Sequence, residues 1–344
     1  MADESKVPAA FQSPDAKPDD GKSDYYWNSY AHFAIHEEMI KDEVRTRTYR
    51  NSILMNKHLF KDKIVLDVGC GTGILSMFAA QAGAKHVYGV DYSDIVLQAQ
   101  KIVKANNLED KVTLVKSKVE DLVLPVDKVD IIISEWMGYF LLYENMLEAV
   151  LFARDKWLIE GGIIMPDKAR IYIAAIEDGN YKDEKINWWE RVYGFDMSVI
   201  KEAALKEPIV DVVDASSVVT DSAMIFEFDI HTVKKEDFAF KSSFTLNVTR
   251  NDYIHAFVSW FETDFSACHK TLVLPTGPHN TYTHWKQTVF YLKDMLLVSE
   301  GDQVTGYLSS KSNEKNPRDL DIKIGYKFKG EHQEVDEEQE YFLR

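Results

Sequence analysis

The chain has 344 residues, 45% of them hydrophobic and 28% charged, enough for one large or two ordinary domains with their own cores. Its formal net charge of −16 suits solubility or the steering of a basic partner, and disfavours direct nucleic-acid binding, which needs a cationic footprint. Only Cys70 and Cys268 occur, far apart and in no CxxC pair, which argues against a disulfide framework or a zinc site and suits a reducing nuclear or cytoplasmic compartment.

Residues 1–23 are polar, carry Pro8, Pro14 and Pro18, and read as a disordered leader without the apolar core of a signal peptide. From 24 to 57 the pattern turns helical, with Tyr30, Phe33, Met39, Ile40, Val44, Tyr49 and Ile53 recurring among charges. From 58 to 166 the period changes. The spacing predicts strands over 63–68, 86–90, 112–116 and 129–134, and helices over 74–81 and 93–106, the latter capped by Ser93 or Asp94. Alternating strands and helices imply a parallel sheet covered on both faces. The uncharged stretch Gly69–Ala84 is too short for a bilayer span, and nothing else in the sequence reads as membrane-spanning. From 167 to 344 period-two alternation dominates, as in Ile171/Ile173, Phe244/Leu246/Val248 and Ile322/Ile324/Tyr326/Phe328, which predicts an all-β domain, a barrel or sandwich. One helical, charged segment at about 180–205 interrupts it and carries Tyr181, Trp188, Trp189, Tyr193, Phe195 and Met197.

Two motifs carry chemistry. In Val65–Gly73 (VLDVGCGTG), glycines at 69, 71 and 73 follow a strand and precede a helix, where the backbone turns sharply and approaches a ligand closely. The spacing is GxGxG, whereas the dehydrogenase fingerprint is GxGxxG, and this weighs against a nicotinamide enzyme. Asp91, at the end of the second strand, can accept two ribose hydroxyls, and Glu120, after the third, can accept an adenine amino group. The fourth strand then runs into Ser134–Met146, where Glu135 and Glu144 bracket an apolar, aromatic loop. Ligands bind at the carboxyl ends of such strands. Two carboxylates suit the fixed donor fork of a guanidinium; a glycosidase-like acid/base pair would leave the glycine loop unused.

The VLDVGCGTG run, the Glu135–Glu144 loop and Thr283-His284-Trp285 together resemble the protein arginine methyltransferases over nearly the whole chain from about Ser23, nearest to type I members and fungal ones in particular. The resemblance implies a Rossmann-like S-adenosylmethionine-dependent methyltransferase domain with an N-terminal helical segment, then a β-barrel domain with a helical dimerisation arm at about 180–205. It makes Glu135 and Glu144 the catalytic glutamates, and Asp42 and His284 an Asp–His pair. It assigns His36, Arg45, Gly69, Asp91, Glu120, Tyr30 and Met146 to S-adenosylmethionine, with Arg45 facing the methionine carboxylate and Tyr26 and Tyr30 on a helix that closes over the cofactor. Met39 and Met146 would line the methyl-transfer site and set product type. The family pattern often has Glu where this chain has Asp91, which implies a slightly longer reach to the ribose. No metal is implied. Expected partners are arginine/glycine-rich proteins and histone tails, with assembly as a homodimer or an oligomer of dimers. A scaffold that binds arginine-rich proteins without methylating them is the competing reading, and intact Glu135, Glu144, Gly69 and Arg45 argue against it.

Overall fold

The computed structural model describes residues 30–331 and 333–344; the leader expected over 1–23, and Tyr26, lie outside the described residues. The chain divides into two compact units. Among the described residues the first comprises 30–136, Leu147–Lys168 and Thr263–Leu274; the second comprises Met137–Met146, Ala169–Glu262 and Pro275–Arg344.

In the first unit the N-terminal segment forms α1 (Phe33–Lys41), α2 (Glu43–Leu54) and α3 (Lys57–Phe60). Asp42 punctuates the first two. Its N–H donates to the Glu38 carbonyl at 3.0 Å, closing α1, and its carboxylate accepts the Arg45 N–H at 3.0 Å, capping α2. Then follow β1 (Ile64–Val68), α4 (Ile74–Gln81), β2 (His86–Asp91), α5 (Ile95–Ala105), β3 (Val112–Lys116), β4 (Val129–Ser134), α6 (Leu147–Trp157) and β5 (Leu158–Met165). The five strands pair parallel in the order β3-β2-β1-β4-β5. Val65, Leu66, Val68, Ile131, Ile132 and Ile133 are buried, as strands covered on both faces must be; each contributes roughly 1.5–3 kcal/mol by leaving water. On α5, Ile95, Val96, Ala99 and Val103 turn one face to this core. The expected cap of α5 is absent: Asp94 occupies the N-cap position without a capping bond and pairs with Lys116, while the Ser93 hydroxyl donates to Asp91.

Chain order makes the gap between β1 and β4 the switch point. The chain moves outward from β1 through β2 to β3, then returns to the other side of β1 with β4. A crevice opens outside the carboxyl ends of strands at such a point.

The remaining strands, most of them in the second unit, form two sheets. One has the order β7-β12-β10-β6-β8, with β11 against β10; its strands are β6 (Lys168–Ile176), β7 (Ile209–Asp211), β8 (Ala223–Asp229), β10 (Asp252–Phe265), β11 (Leu272–Pro275) and β12 (Gln287–Val298). The other is β15-β14-β13-β9, antiparallel throughout, from β9 (Phe240–Asn247), β13 (Gln303–Ser312), β14 (Leu320–Lys329) and β15 (Glu334–Leu343). The β-rich architecture expected from period two is present as two antiparallel sheets; among the described residues the strand pairings do not close them into one ring. Ala174, Ile176, Val258, Trp260, Val289 and Tyr291 belong to the core of the larger sheet. The edge strand β15 is strongly acidic, yet Lys323, Lys327 and Lys329 of β14 pair with Glu338 and Glu340, with Asp336 and with Glu334. Such exposed pairs contribute little stability, but a charged edge discourages further strand addition.

The segment at 180–205 is less continuous than its composition suggests. It forms α7 (Gly179–Lys185), a 3-10 turn at Asn187–Glu190, a Val192–Phe195 bridge and α8 (Ser198–Ala204). Tyr193 and Gly194 both take positive φ, which prevents one helix from running through.

Candidate active site

In the first unit, the glycine loop leaves β1 at the switch point. Gly69, Gly71 and Gly73 have φ of 71°, 51° and 80°, a region that L side chains rarely adopt. Space matters as well, since a Cβ on Gly71 would stand 3.4 Å from the His36 ring. Asp91 braces the loop from the end of β2. Its Oδ2 accepts the Gly71 N–H at 2.9 Å, and its Oδ1 accepts the Ser93 N–H and hydroxyl at 2.8 and 2.7 Å. His36 is buried, and its Nε2 lies 2.8 Å from the Tyr30 carbonyl. Glu120 is exposed in the turn after β3.

Beneath the loop, Asp67 is fully buried. Its Oδ2 accepts the Ser76 hydroxyl at 2.6 Å, while Oδ1 has no hydrogen-bond partner. Burial, only partly offset by Ser76, pushes its pKa up to about 7.

The carboxyl end of β4 carries Glu135. Arg45 meets it from α2, with Nε at 3.0 Å and Nη2 at 2.9 Å from the same oxygen, Oε2. The two side chains are only 7% and 9% exposed, so little water competes for them. A further Arg45 nitrogen, Nη1, donates to the Met39 carbonyl at 3.2 Å, and Met39 itself is half-buried. The resemblance implies a cofactor carboxylate for Arg45 and a guanidinium for Glu135; in this structure the two side chains satisfy each other. Tyr49, one turn beyond Arg45 on α2, is fully buried and donates its hydroxyl to the Ser134 carbonyl at 2.9 Å. Burial, then the charge of Glu135, hold the Tyr49 pKa well above its ordinary value, so it stays a neutral donor. Tyr49 was missed as a site residue. Its signal was available, because Asp42, Arg45 and Tyr49 fall at i, i+3 and i+7, on one face of a helix.

In the second unit, residues 137–146 form a tight loop. Gly138 N–H donates to the Leu141 carbonyl at 3.0 Å. Phe140, Leu141, Glu144 and Asn145 all take positive φ, the last two at 72° and 60°. Phe140 and Leu141 are buried, whereas Glu144 and Met146 are half-buried. The loop is held from far along the chain. Glu144 N–H donates to the Arg318 carbonyl at 2.8 Å, and the Trp285 indole N–H donates to the Met137 carbonyl at 2.8 Å. His284, half-buried, lies against Trp285 with ring centroids 4.0 Å apart. Nothing in the sequence near Arg318 signals its part, because it acts through a backbone carbonyl.

Thus His36, Asp91 and Gly71 come together, as do Asp42, Arg45, Glu135 and Met39. Within its own unit Asp42 caps α2 through the Arg45 N–H. Among the described residues, no group of three or more His, Cys, Asp or Glu side chains could hold a metal ion.

Comparison with known proteins gives consistent matches. The family model described as arginine methyltransferase oligomerization subdomain matches residues 167–331, and that of ribosomal protein L11 methyltransferase (PrmA) matches 51–191. Protein arginine N-methyltransferase 1 of Chlamydomonas reinhardtii is 58% identical over 322 residues, 94% of this chain and 93% of its own length. Its namesake in Schizosaccharomyces pombe is 58% identical over 305 residues, 89% of this chain and 90% of its own. Among solved structures, the Trypanosoma brucei PRMT1 enzyme-prozyme heterotetrameric complex with AdoHcy is similar at a TM-score of 0.90 and 47% identity, covering 92% of this chain and 100% of that one.

Proposed function

The chain belongs to the protein arginine N-methyltransferase family, and from that premise we propose that it transfers methyl groups from S-adenosyl-L-methionine to arginine side chains of proteins, giving monomethylarginine and then asymmetric dimethylarginine. The observation that supports this most is the end of β4, where Glu135 is held by Arg45 through Oε2 alone. One carboxylate oxygen is committed to the enzyme's own arginine, which leaves Oε1 for a substrate guanidinium.

The residues around the glycine loop fit the cofactor. Positive φ at Gly69, Gly71 and Gly73 lets the backbone approach a ligand, Asp91 stands at the end of β2, and Asp67 Oδ1 is a buried acceptor without a partner. His36, Tyr30, Arg45, Glu120 and Met146 complete the set that would hold it. The bound sulfonium supplies an electrophilic methyl group. The protein must make a nitrogen nucleophilic. Arginine has a pKa of about 13.8, so full deprotonation near pH 7 costs roughly 9 kcal/mol. Two carboxylate contacts at about 4 kcal/mol each, at an effective dielectric near 20 and before desolvation, reach the same order. Glu135 and Glu144 therefore need not deprotonate the guanidinium fully before reaction. They draw positive charge toward two nitrogens and leave lone-pair density on one, and orientation supplies much of the remainder. Glu144, or His284 with Asp42, accepts the proton during or after transfer.

The assignment of Met39 and Met146 to product choice, on the resemblance to type I members, supports a second methyl on the same nitrogen. The net charge of −16 suits basic, arginine/glycine-rich substrates and histone tails, reached in nucleus and cytoplasm. Trp188, Tyr193, Phe195 and Val199 are exposed on the arm, an apolar surface fitted to a second copy of the chain in a homodimer or an oligomer of dimers.

Incubation with labelled S-adenosylmethionine and an arginine–glycine peptide, followed by mass analysis, tests the reading. Asymmetric dimethylarginine is expected. Mainly symmetric product, or arrest at monomethylarginine, would refute the product assignment; no labelled arginine would refute the activity. Gly138→Ala probes the loop. Its Cβ would stand 2.0 Å from the Tyr143 carbonyl oxygen, so the backbone carrying Glu144 must shift. A displacement near 1 Å costs on the order of 10²-fold in turnover, and native steady-state rates in that variant would contradict the need for this loop shape.

A further inference from the structure

The arm between β6 and β7 is rooted at Glu177 and Asp178, and the root is an unusual one. Asp178 stands at the N-cap position of α7 but makes no capping bond. Its carboxylate instead accepts the Tyr291 hydroxyl at 2.6 Å. Two other bonds hold the root. The Asp178 N–H donates to His255 Nδ1 at 3.2 Å, and the Gly179 N–H donates to Glu177 Oε1 at 3.0 Å. His255, on β10, packs directly beneath the helix start, since a Cβ on Gly179 would stand 3.2 Å from its ring. A seven-residue helix is marginal by itself and depends on such contacts.

We propose that His255 is a proton-sensitive anchor of the arm: the neutral ring holds the first turn of α7 in the form competent for self-association, and the protonated ring releases it. Accepting from the Asp178 N–H requires a bare Nδ1, which places the proton of the neutral ring on Nε2. A proton added at Nδ1 sets two donors against each other. It also faces Glu177 Oε1, 3.4 Å away, the same oxygen that holds Gly179. One proton therefore breaks the first bond and recruits the acceptor of the second.

The charged groups around the ring are mixed. Glu177 and Asp178 face it from the link, Lys182 and Asp183 from α7, and Asp252 from its own strand, already paired with Arg250 at 2.8 Å. The neutral Tyr291 hydroxyl, on β12, is engaged with Asp178. Lys182 is buried and donates to the Lys293 carbonyl at 3.0 Å. Burial outweighs the attraction of Glu177 and holds the ring's pKa below its ordinary 6.5. The sign follows: the rooted arm binds fewer protons than the released one. Its stabilisation is complete above about pH 6.5 and is lost as pH falls below that value.

The self-association half of the proposal rests on reading the arm as a dimer element. Hydrogen–deuterium exchange in the full chain tests the anchor separately. Protection over residues 177–186, corrected for the intrinsic pH dependence of exchange, is expected to fall about three- to tenfold between about pH 7.5 and 5.5. In His255→Gln, whose side-chain carbonyl can still accept from Asp178 and cannot be protonated, it should stay level. Equal pH responses in both proteins would overturn the anchor. Should the variant fail to fold, a histidine NMR titration of the native chain decides: a His255 midpoint below 6.5 supports the proposal, and one at or above 6.5 overturns it. Sedimentation at about pH 7.5 tests the arm itself. A native monomer there refutes self-association, and a dimer whose Kd is unchanged at about pH 5.5 refutes its control by His255.

Discussion

Glu135→Gln and Glu144→Gln are each expected to lower turnover by at least about 10³-fold while leaving a protein that still binds S-adenosylhomocysteine. The amide keeps the shape and one acceptor oxygen of the carboxylate but removes its charge. If charge localisation on the guanidinium lowers the barrier, removing either charge forfeits about half of the roughly 8 kcal/mol that the two contacts offer before desolvation. The two variants should differ in stability. Glu135 is the buried partner of Arg45, so its neutralisation weakens a charge-assisted pair and costs about 1.5–3 kcal/mol. Glu144 is half-buried and is fixed by its backbone, through the bond from its N–H to Arg318, which the amide leaves intact. Steady-state rates, calorimetry with S-adenosylhomocysteine and urea melts together separate these effects. A rate above about a tenth of native in either variant contradicts the clamp.

Regular periodicity made the first unit readable. The buried strand runs, the glycine cluster and the 3.6-residue spacing of α4 are local signals, and the structure places β3, β4 and α4 at the bounds that the pattern predicts. Where a choice depended on distant partners, the sequence was silent. Ser93 was an expected helix cap, but Asp91, two residues earlier and already bracing Gly71, takes its hydroxyl. The 180–205 segment has helical composition, yet Tyr193 and Gly194 break it with positive φ. The strand-rich region was evident from alternation. Whether its strands close or remain two sheets depends on pairing between segments up to about a hundred residues apart, which alternation does not encode. At the candidate site the side chains were legible and their partners were not. Arg45 and Glu135 were both singled out, ninety positions apart, without a hint that they meet.

Their meeting gives the second large expectation. Arg45→Met should destabilise the first unit by about 3–5 kcal/mol, because it leaves the Glu135 carboxylate buried without its cation. It should also weaken S-adenosylhomocysteine about 10- to 100-fold, the worth of one charged hydrogen bond of roughly 1.5–3 kcal/mol. The double variant Arg45→Met/Glu135→Gln separates the two losses. With no charge left unpaired, much of the stability should return, and urea melts of the four proteins should give a coupling energy above about 1 kcal/mol. Activity and cofactor affinity should not return, since neither the cation nor the clamp is restored. Arg45→Lys sharpens the same point: an ammonium keeps the charge but cannot place two donors on Oε2 and a third on the Met39 carbonyl. It is expected to recover part of the stability and little of the turnover. Additive stabilities in the cycle would mean that Arg45 and Glu135 do not depend on each other in the folded chain, and the pairing would then carry no part of the mechanism.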